Sequence, residues 1–471
     1  MRYLAGMPSP PHRALLEKTQ QLAIEFLDGL DQRPVGSRAD FATLVGRTGG
    51  PLPADGDDPI RVIEHLASSI DAGLAASAGP RYFGFVTGGA VRAALAADWL
   101  TSVWDQNGFN CVSSPAAAAV EEVAARWLVE LFGLASGTSV GFTTGCTMSN
   151  FTALAAARHA LLKKLGWDVE ARGLFGAPAI AVIVSEESHV TISAALQMLG
   201  LGRDRVTRIP TDSQGRMRAE ELRAFLKGVA DPAIVCAQAG NVNTGAFDPI
   251  SEIAQIVHAA SGWLHVDGAF GLWAAASPVH RELTRGIEQA DSIASDCHKW
   301  LNVPYDSGLV FVRDASAHHA AMTLSAAYYG QQPIEARDNY NWVPEASRRA
   351  RGFAVYAALR SLGRRGVAEM IERCCALARR MAERLAGRTG VQILNDVVLN
   401  QVLVRFGGAD SATDVVIRRM QADGTCWAGP TTWHGVRAMR ISVSNWSTSQ
   451  TDIDRSADAI LRCAREPATA T

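Results

Sequence analysis

The 471-residue chain has no C-x-x-C pair, no long apolar run, no excess of either charge, no internal repeat and no low-complexity tract. Its eight cysteines (111, 146, 236, 297, 374, 375, 426 and 463) are irregularly spaced, and are read as reduced thiols in a reducing compartment, with no metal site expected. The alanine-rich stretch 91–100 is broken by Arg92 and Asp98, so nothing approaches the ~20 apolar residues of a membrane span. The start, Met1-Arg2-Tyr3-Leu4-Ala5 followed by three prolines, lacks the apolar core of a secretory signal, which leaves the cytoplasm as the expected location. Forty-five basic residues against 47 acidic ones, net −2, give no footprint for nucleic acid or an anionic membrane.

What is present is a large globular chain, 48% hydrophobic and 20% charged. At about 100–200 residues per domain it holds roughly two to four structural units. Asp57-Asp58-Pro59 reads as a helix start, the helix running to about residue 76, and the Pro- and Gly-rich segment 31–56 reads as an extended arm. Ser114-Pro115 repeats the start signal ahead of Val120, Val123, Trp127, Leu128 and Leu131 at helical spacing. From about 140 to 313 short apolar runs alternate with helical segments. Strands are expected at 179–184, 206–209, 233–237, 263–266, 292–295 and 308–312, with helices at 190–199, 219–228 and 250–260 between them. That alternation argues for a mostly parallel sheet covered by helices, which binds ligands at the carboxyl ends of its strands. A long polar loop spans 325–345. Two helices follow, about 348–362 and 367–385, then strands at 399–406 and 438–443 and a helix from Thr451. The expected organisation is an N-terminal helical arm (1–90), a large α/β domain (91–346) and a smaller α+β domain (347–471).

Four features carry chemistry. Asp296-Cys297-His298-Lys299-Trp300 follows an apolar strand, and a lysine desolvated in a cleft there has a lowered pKa and a free amine that attacks carbonyls. Asp267 ends another strand, where its carboxylate can pair with a protonated pyridine nitrogen or simply cap a helix; such a charge-assisted bond is worth roughly 1.5–3 kcal/mol. Thr143-Thr144-Gly145-Cys146-Thr147 opens the helical run 151–162, whose N-terminus suits a phosphate. His189 follows the 179–184 strand and either stacks on a flat ring or caps a helix. Phosphate cradle, stacking ring, acid and amine occur in that order, the last two 32 residues apart, which is one strand–helix–strand unit.

With this series the chain resembles the group II pyridoxal-phosphate-dependent decarboxylases of fold type I, which include aromatic amino acid, glutamate, cysteine-sulfinate and diaminobutyrate decarboxylases. The resemblance covers about 75–460. It rests on His298-Lys299-Trp300 and on Arg81-Tyr82-Phe83-Gly84, Asn110 to Pro115 with Glu121, Gly245-Ala246-Phe247-Asp248-Pro249, Ser347-Arg348-Arg349 and Arg440-Ile441-Ser442-Val443-Ser444-Asn445-Trp446. It implies an α/β fold with a mostly parallel seven-stranded sheet, and pyridoxal phosphate as cofactor. Lys299 would bond covalently to the cofactor, Asp267 would hold the ring nitrogen, and His189 would stack on the ring. Gly145, Cys146, Thr147 and His298 would hold the phosphate, with Ser295 a further candidate. Tyr328, with Tyr329 as alternative, would donate a proton from a loop closed by Gly330. A homodimer with the site at its interface is implied as well.

Some positions depart from the family pattern. Asn241-Val242-Asn243-Thr244 stands where many members carry consecutive threonines, and Asn241 can still hydrogen-bond near the ring; Cys146 and Met148 replace a glycine and an acid. Tyr82, Phe83, Phe85 and Trp104 would line an apolar side-chain pocket and favour an aromatic substrate, or else be core. Arg81 would serve an acidic substrate, although a single arginine of this kind usually faces solvent. Decarboxylation of an L-amino acid is the leading expectation. Decarboxylation with oxidative deamination to an aldehyde is a second, favoured by a phenylalanine at the loop position and opposed by Tyr328 and Tyr329. Transamination, and a cofactor-binding protein without activity, complete the set.

Overall fold

The computed structural model describes residues 12–324 and 337–465. Its large sheet holds β1 (Ser139–Thr143), β2 (Ala181–Ser185), β3 (Val206–Ile209), β4 (Ala233–Gln238), β5 (Trp263–Asp267), β6 (Ser292–Asp296) and β7 (Gly308–Val312) in the order β1-β7-β6-β5-β4-β2-β3. Neighbouring pairs from β6 through β5, β4 and β2 to β3 are parallel, whereas β7 runs against both β1 and β6. β1 therefore points the same way as β6, and the C-terminal ends of β1, β2, β5 and β6 share one edge. Strands β1 and β4 to β7 are buried along their whole length, as a sheet covered by helices on both faces requires. The strands from β2 to β7 lie where the apolar runs put them, with ends moved by at most two residues. β1 is an addition to the expected set.

A second sheet is antiparallel, with β8 (Val391–Ile393), β9 (Gln401–Phe406), β10 (Gly429–Trp433) and β11 (Val436–Ser442) in the order β10-β11-β9-β8. The helices Asp410–Asp423 and Gln450–Arg465 accompany it. The two helices expected between 348 and 385 are present: Gly352–Leu385 is two helices meeting at a kink at Gly363, whose φ of 62° a side-chain-bearing residue rarely adopts.

The N-terminal part corrects the reading of an extended arm over 31–56. Phe41–Thr48 is helical, because the Asp40 side chain accepts the Thr43 N–H and starts it. The next helix does begin at Pro59 behind its Asp58 cap, but ends at Ile70. Segment 81–83 then reaches the second sheet: Phe83 N–H donates to Trp427 O at 2.8 Å and Ser442 N–H to Phe83 O at 3.0 Å. Arg81 is buried, not solvent-facing. Its guanidinium donates to Thr425 O and Asp31 O, both at 2.8 Å, and pairs with Asp452 at 3.2 Å. It holds chain segments together and is not available to an acidic substrate. Among the described residues no helix is long and apolar enough to cross a membrane.

Candidate active site

Four strand ends deliver the site. Asp267 is the last residue of β5, and β6 runs into the single helical turn Cys297–Trp300 that carries Lys299. β2 leads to His189, the cap of helix Val190–Met198, and β1 leads to Gly145 and the 19-residue helix Cys146–Lys164. Gly145, Cys146, Thr147, His189, Asp267, His298 and Lys299 all line one cleft of about 260 Å³, joined by Phe85, Val242, Phe270, Asp296 and Tyr305.

The Lys299 Nζ lies 3.0 Å from Asp296 Oδ2. Burial, the largest influence, pushes the ammonium toward losing its proton. Asp296, with Cys146 and Asp267 behind it, outweighs that and raises the pKa above its ordinary value. The expected lowering by desolvation is thus reversed, because the lysine's neighbour in the sequence turns a carboxylate onto it.

Asp267 both caps and faces the cleft. Its Oδ1 accepts the Ala269 N–H at 3.1 Å and the Cys146 thiol at 3.4 Å, and its Oδ2 accepts Asn150 Nδ2 at 3.4 Å. His189 takes the capping role, Nδ1 accepting the Thr191 N–H at 3.4 Å, and its ring also lines the cleft. Burial above all, assisted by Lys299 and Arg440, holds its pKa below the ordinary value, so the ring is neutral at pH 7. Burial similarly keeps the Cys146 thiol protonated.

Beside these groups the Cys146 N–H, at a helix N-terminus, donates to Asp296 Oδ1 at 2.6 Å. A carboxylate thus occupies the position that suits an anion. A Cβ built on Gly145 would lie 3.1 Å from His298 Cε1, so a side chain there would crowd this cradle. His298 accepts the Ser307 N–H through Nδ1 at 3.1 Å and stacks on Tyr305 with centroids 4.4 Å apart. An oxyanion cradle, a carboxylate, a flat imidazole wall and an amine within one cleft fit a phosphorylated pyridine aldehyde.

Several expected residues lie elsewhere. Ser295 is fully buried and donates to Gly268 O at 3.0 Å, tying β6 to the turn after β5. Asn241 forms a turn, its Oδ1 accepting from Asn243 and Thr244, and its Nδ2 lies near Gly215 rather than the cleft. Phe83 is core, Trp104 sits on a helix surface against Phe353, and Tyr82 stacks on Trp427 at 5.0 Å, behind the wall that Phe85 and Tyr305 make. Of the four aromatics expected there, Phe85 alone lines the cleft, where Phe270 and Tyr305 join it. Tyr328 and Tyr329 lie outside the described residues.

Asp296, Asn150, Tyr305 and Arg440 carry parts of the site that the sequence reading left without a role. Asp296 and Arg440 stood inside stretches already quoted, Asp296-Cys297-His298-Lys299-Trp300 and Arg440-Ile441-Ser442-Val443-Ser444-Asn445-Trp446. Burial lowers the Arg440 pKa, and its guanidinium has no hydrogen-bond or ion-pair partner among the described residues.

A family model described as the pyridoxal-dependent decarboxylase conserved domain matches residues 50–406. Human acidic amino acid decarboxylase GADL1 is 32% identical over 323 residues, 67% of this chain and 61% of that protein, so the match spans about three fifths of that relative. Aromatic-L-amino-acid decarboxylase of Bacillus atrophaeus is 26% identical over 412 residues, 86% of this chain and 84% of that one. The structure of Oryza sativa TDC with PLP and tryptamine superposes with a TM-score of 0.90 at 22% identity, and mouse CSAD with 0.89 at 24%; each covers 97% of this chain and 99% of the other. The fold is fold type I of the pyridoxal-phosphate enzymes. The chain belongs to the pyridoxal-dependent decarboxylase family, a family of carboxy-lyases, and its cofactor is pyridoxal phosphate.

Proposed function

We propose that this protein removes the α-carboxyl group of an L-amino acid as carbon dioxide and releases the amine, with an aromatic side chain preferred over an acidic one. The observation that carries the reading is the convergence of Lys299, Asp267 and His189 on one cleft with a helix N-terminus beside them. Bound pyridoxal phosphate supplies an electron sink for the pair left at the α-carbon when carbon dioxide departs. The residues supply the rest. Lys299 would hold the cofactor through its aldehyde. Asp267 holds the proton of the ring nitrogen. His189 covers the ring and directs its N–H toward the substrate carboxylate. Gly145, Cys146 and Thr147 would hold the phosphate with His298 beside them, once the Cys146 N–H is released from Asp296. Tyr328 returns a proton to the α-carbon, so Tyr328→Phe keeps cofactor binding but slows amine formation.

The side-chain preference rests on Phe85, Tyr305, Phe270 and Val242, and on the absence of arginine from the cleft lining among the described residues. A second copy of the chain is the proposed partner. The helices His12–Asp28 and Arg92–Trp104 leave Leu16, Ile24, Leu27, Trp99, Val103 and Trp104 exposed, an apolar surface that a dimer would cover. The eight cysteines, none in a disulfide among the described residues, favour the cytoplasm.

Incubation with the twenty common amino acids, diaminobutyrate and dihydroxyphenylalanine tests the reaction. Equal carbon dioxide and amine are expected. Peroxide with aldehyde, or a 2-oxo acid, would replace the reading with oxidative deamination or transamination. Lys299→Ala should abolish the visible absorption of the bound cofactor, and sedimentation should show a dimer.

A further inference from the structure

Behind Asp267 runs a chain of buried hydrogen bonds with a fixed direction. Trp263 Nε1 can only donate, and it gives its hydrogen to Ser292 Oγ at 2.9 Å. The same oxygen lies 3.0 Å from His265 Nδ1. Burial pushes the His265 pKa down to about 4, so the ring is neutral, and the Asn150 oxygen facing Nε2 calls for the ring hydrogen there. That nitrogen lies 2.9 Å from Asn150 Oδ1. The Asn150 amide nitrogen then faces the other way, toward Asp267 Oδ2 at 3.4 Å and Thr191 Oγ1 at 3.2 Å. The reverse amide orientation would set a carbonyl oxygen against the Asp267 carboxylate, and is disfavoured electrostatically.

The second branch is equally determined. Thr191 Oγ1 accepts from Asn150, which leaves its own proton for His189 Nδ1 at 2.9 Å. The Thr191 main-chain N–H points to the same nitrogen at 3.4 Å. Two donors on Nδ1 fix the neutral His189 ring with its hydrogen on Nε2, the nitrogen left for the cleft. Asn150, Ser292 and His265 are almost completely buried, and none touches the cleft, so their polar groups have no solvent to satisfy them.

We propose that Asn150 is a positioning residue that orients two site groups at once: the Asp267 carboxylate directly, and the His189 imidazole through Thr191. The inference rests on the reading that Asp267 holds the cofactor's ring nitrogen. One amide, three positions beyond Thr147 on the same helix, thus couples the floor of the cleft to its wall.

The test is a double-mutant cycle on cofactor affinity, read by absorbance titration of the cofactor-free protein with pyridoxal phosphate. Asn150→Ala should weaken binding roughly tenfold to a hundredfold, as loss of an outer hydrogen-bond partner does in comparable sites. In an Asp267→Ala background the same substitution should cost several-fold less, since only the branch through Thr191 to His189 remains. Equal penalties in both backgrounds would overturn the inference, because a merely structural asparagine acts independently of Asp267. If Asp267→Ala itself leaves affinity and the visible band unchanged, the reading of Asp267 fails instead. Should Asn150→Ala not fold, His265→Phe removes the donor to Asn150 Oδ1 and enters the same cycle: a larger penalty in the Asp267 background supports the chain, and an equal one in both refutes it.

Discussion

Asp296 divides its carboxylate between two site groups: Oδ2 lies 3.0 Å from Lys299 Nζ, and Oδ1 takes the Cys146 N–H at 2.6 Å. The side chain is almost fully buried, so both contacts act in a low-dielectric setting. The lysine amine must be unprotonated to attack an aldehyde, and Asp296 favours its ammonium form. Asp296→Asn keeps an oxygen for the Cys146 N–H and removes the charge, leaving burial free to lower the lysine pKa. The expected outcome is covalent attachment of pyridoxal phosphate roughly tenfold faster at neutral pH, with the pH for half-maximal rate moved downward. Stopped-flow absorbance would show it. A slower variant would mean that Asp296 instead takes the proton from the attacking amine.

Glu121 and Arg348 form a bidentate pair with both bonds at 2.7 Å, buried between the helix Pro115–Leu131 and the start of Gly352–Leu385. Burial works against the arginine's charge, and Glu121 overcomes it to raise the pKa. Removing one partner strands the other in the interior. Glu121→Ala should cost about 3–5 kcal/mol in urea denaturation, whereas the double replacement Glu121→Leu with Arg348→Met should recover most of it. A single-variant loss under about 1 kcal/mol would show that water reaches the pair.

The parts of this protein legible in its sequence are those that local pattern dictates. The β-branched runs from Ala181 to Val312 mark strands because buried parallel strands need them. β1 escaped because Ser139, Gly141 and Thr143 interrupt its apolar pattern, although all five residues are buried. Lys299, Asp267 and His189 stood out as reactive types at strand ends. Asp296 did not, since nothing local says that its carboxylate will meet a lysine three residues on and a helix N-terminus 150 residues earlier. Asn150 reads as an ordinary helix residue until His265 and Asp267 arrive from β5. Tyr82, Phe83 and Trp104 were drawn toward the site by aromatic chemistry alone, and packing against Trp427, the core and Phe353 decides otherwise.

His318 gives the fold an acid-sensitive element far from the lysine. The ring is fully buried: Nδ1 pairs with Ser139 Oγ at 2.8 Å and Nε2 donates to Trp342 O at 2.9 Å, joining β1 and the helix Ala315–Met322 to the segment around Trp342. Burial pushes its pKa down from 6.5 to about 3. The unfolded chain therefore binds a proton between those values that the folded chain refuses. Its contribution to stability is complete above pH 6.5 and is lost progressively as pH falls toward 3, at up to about 1.4 kcal/mol per pH unit. His318→Gln can still donate to Trp342 O but does not titrate. It should lower stability at pH 7.5 and flatten the decline between pH 6.5 and 4.5, measured by urea midpoints at each pH. An unchanged slope would show that other groups govern the acid response.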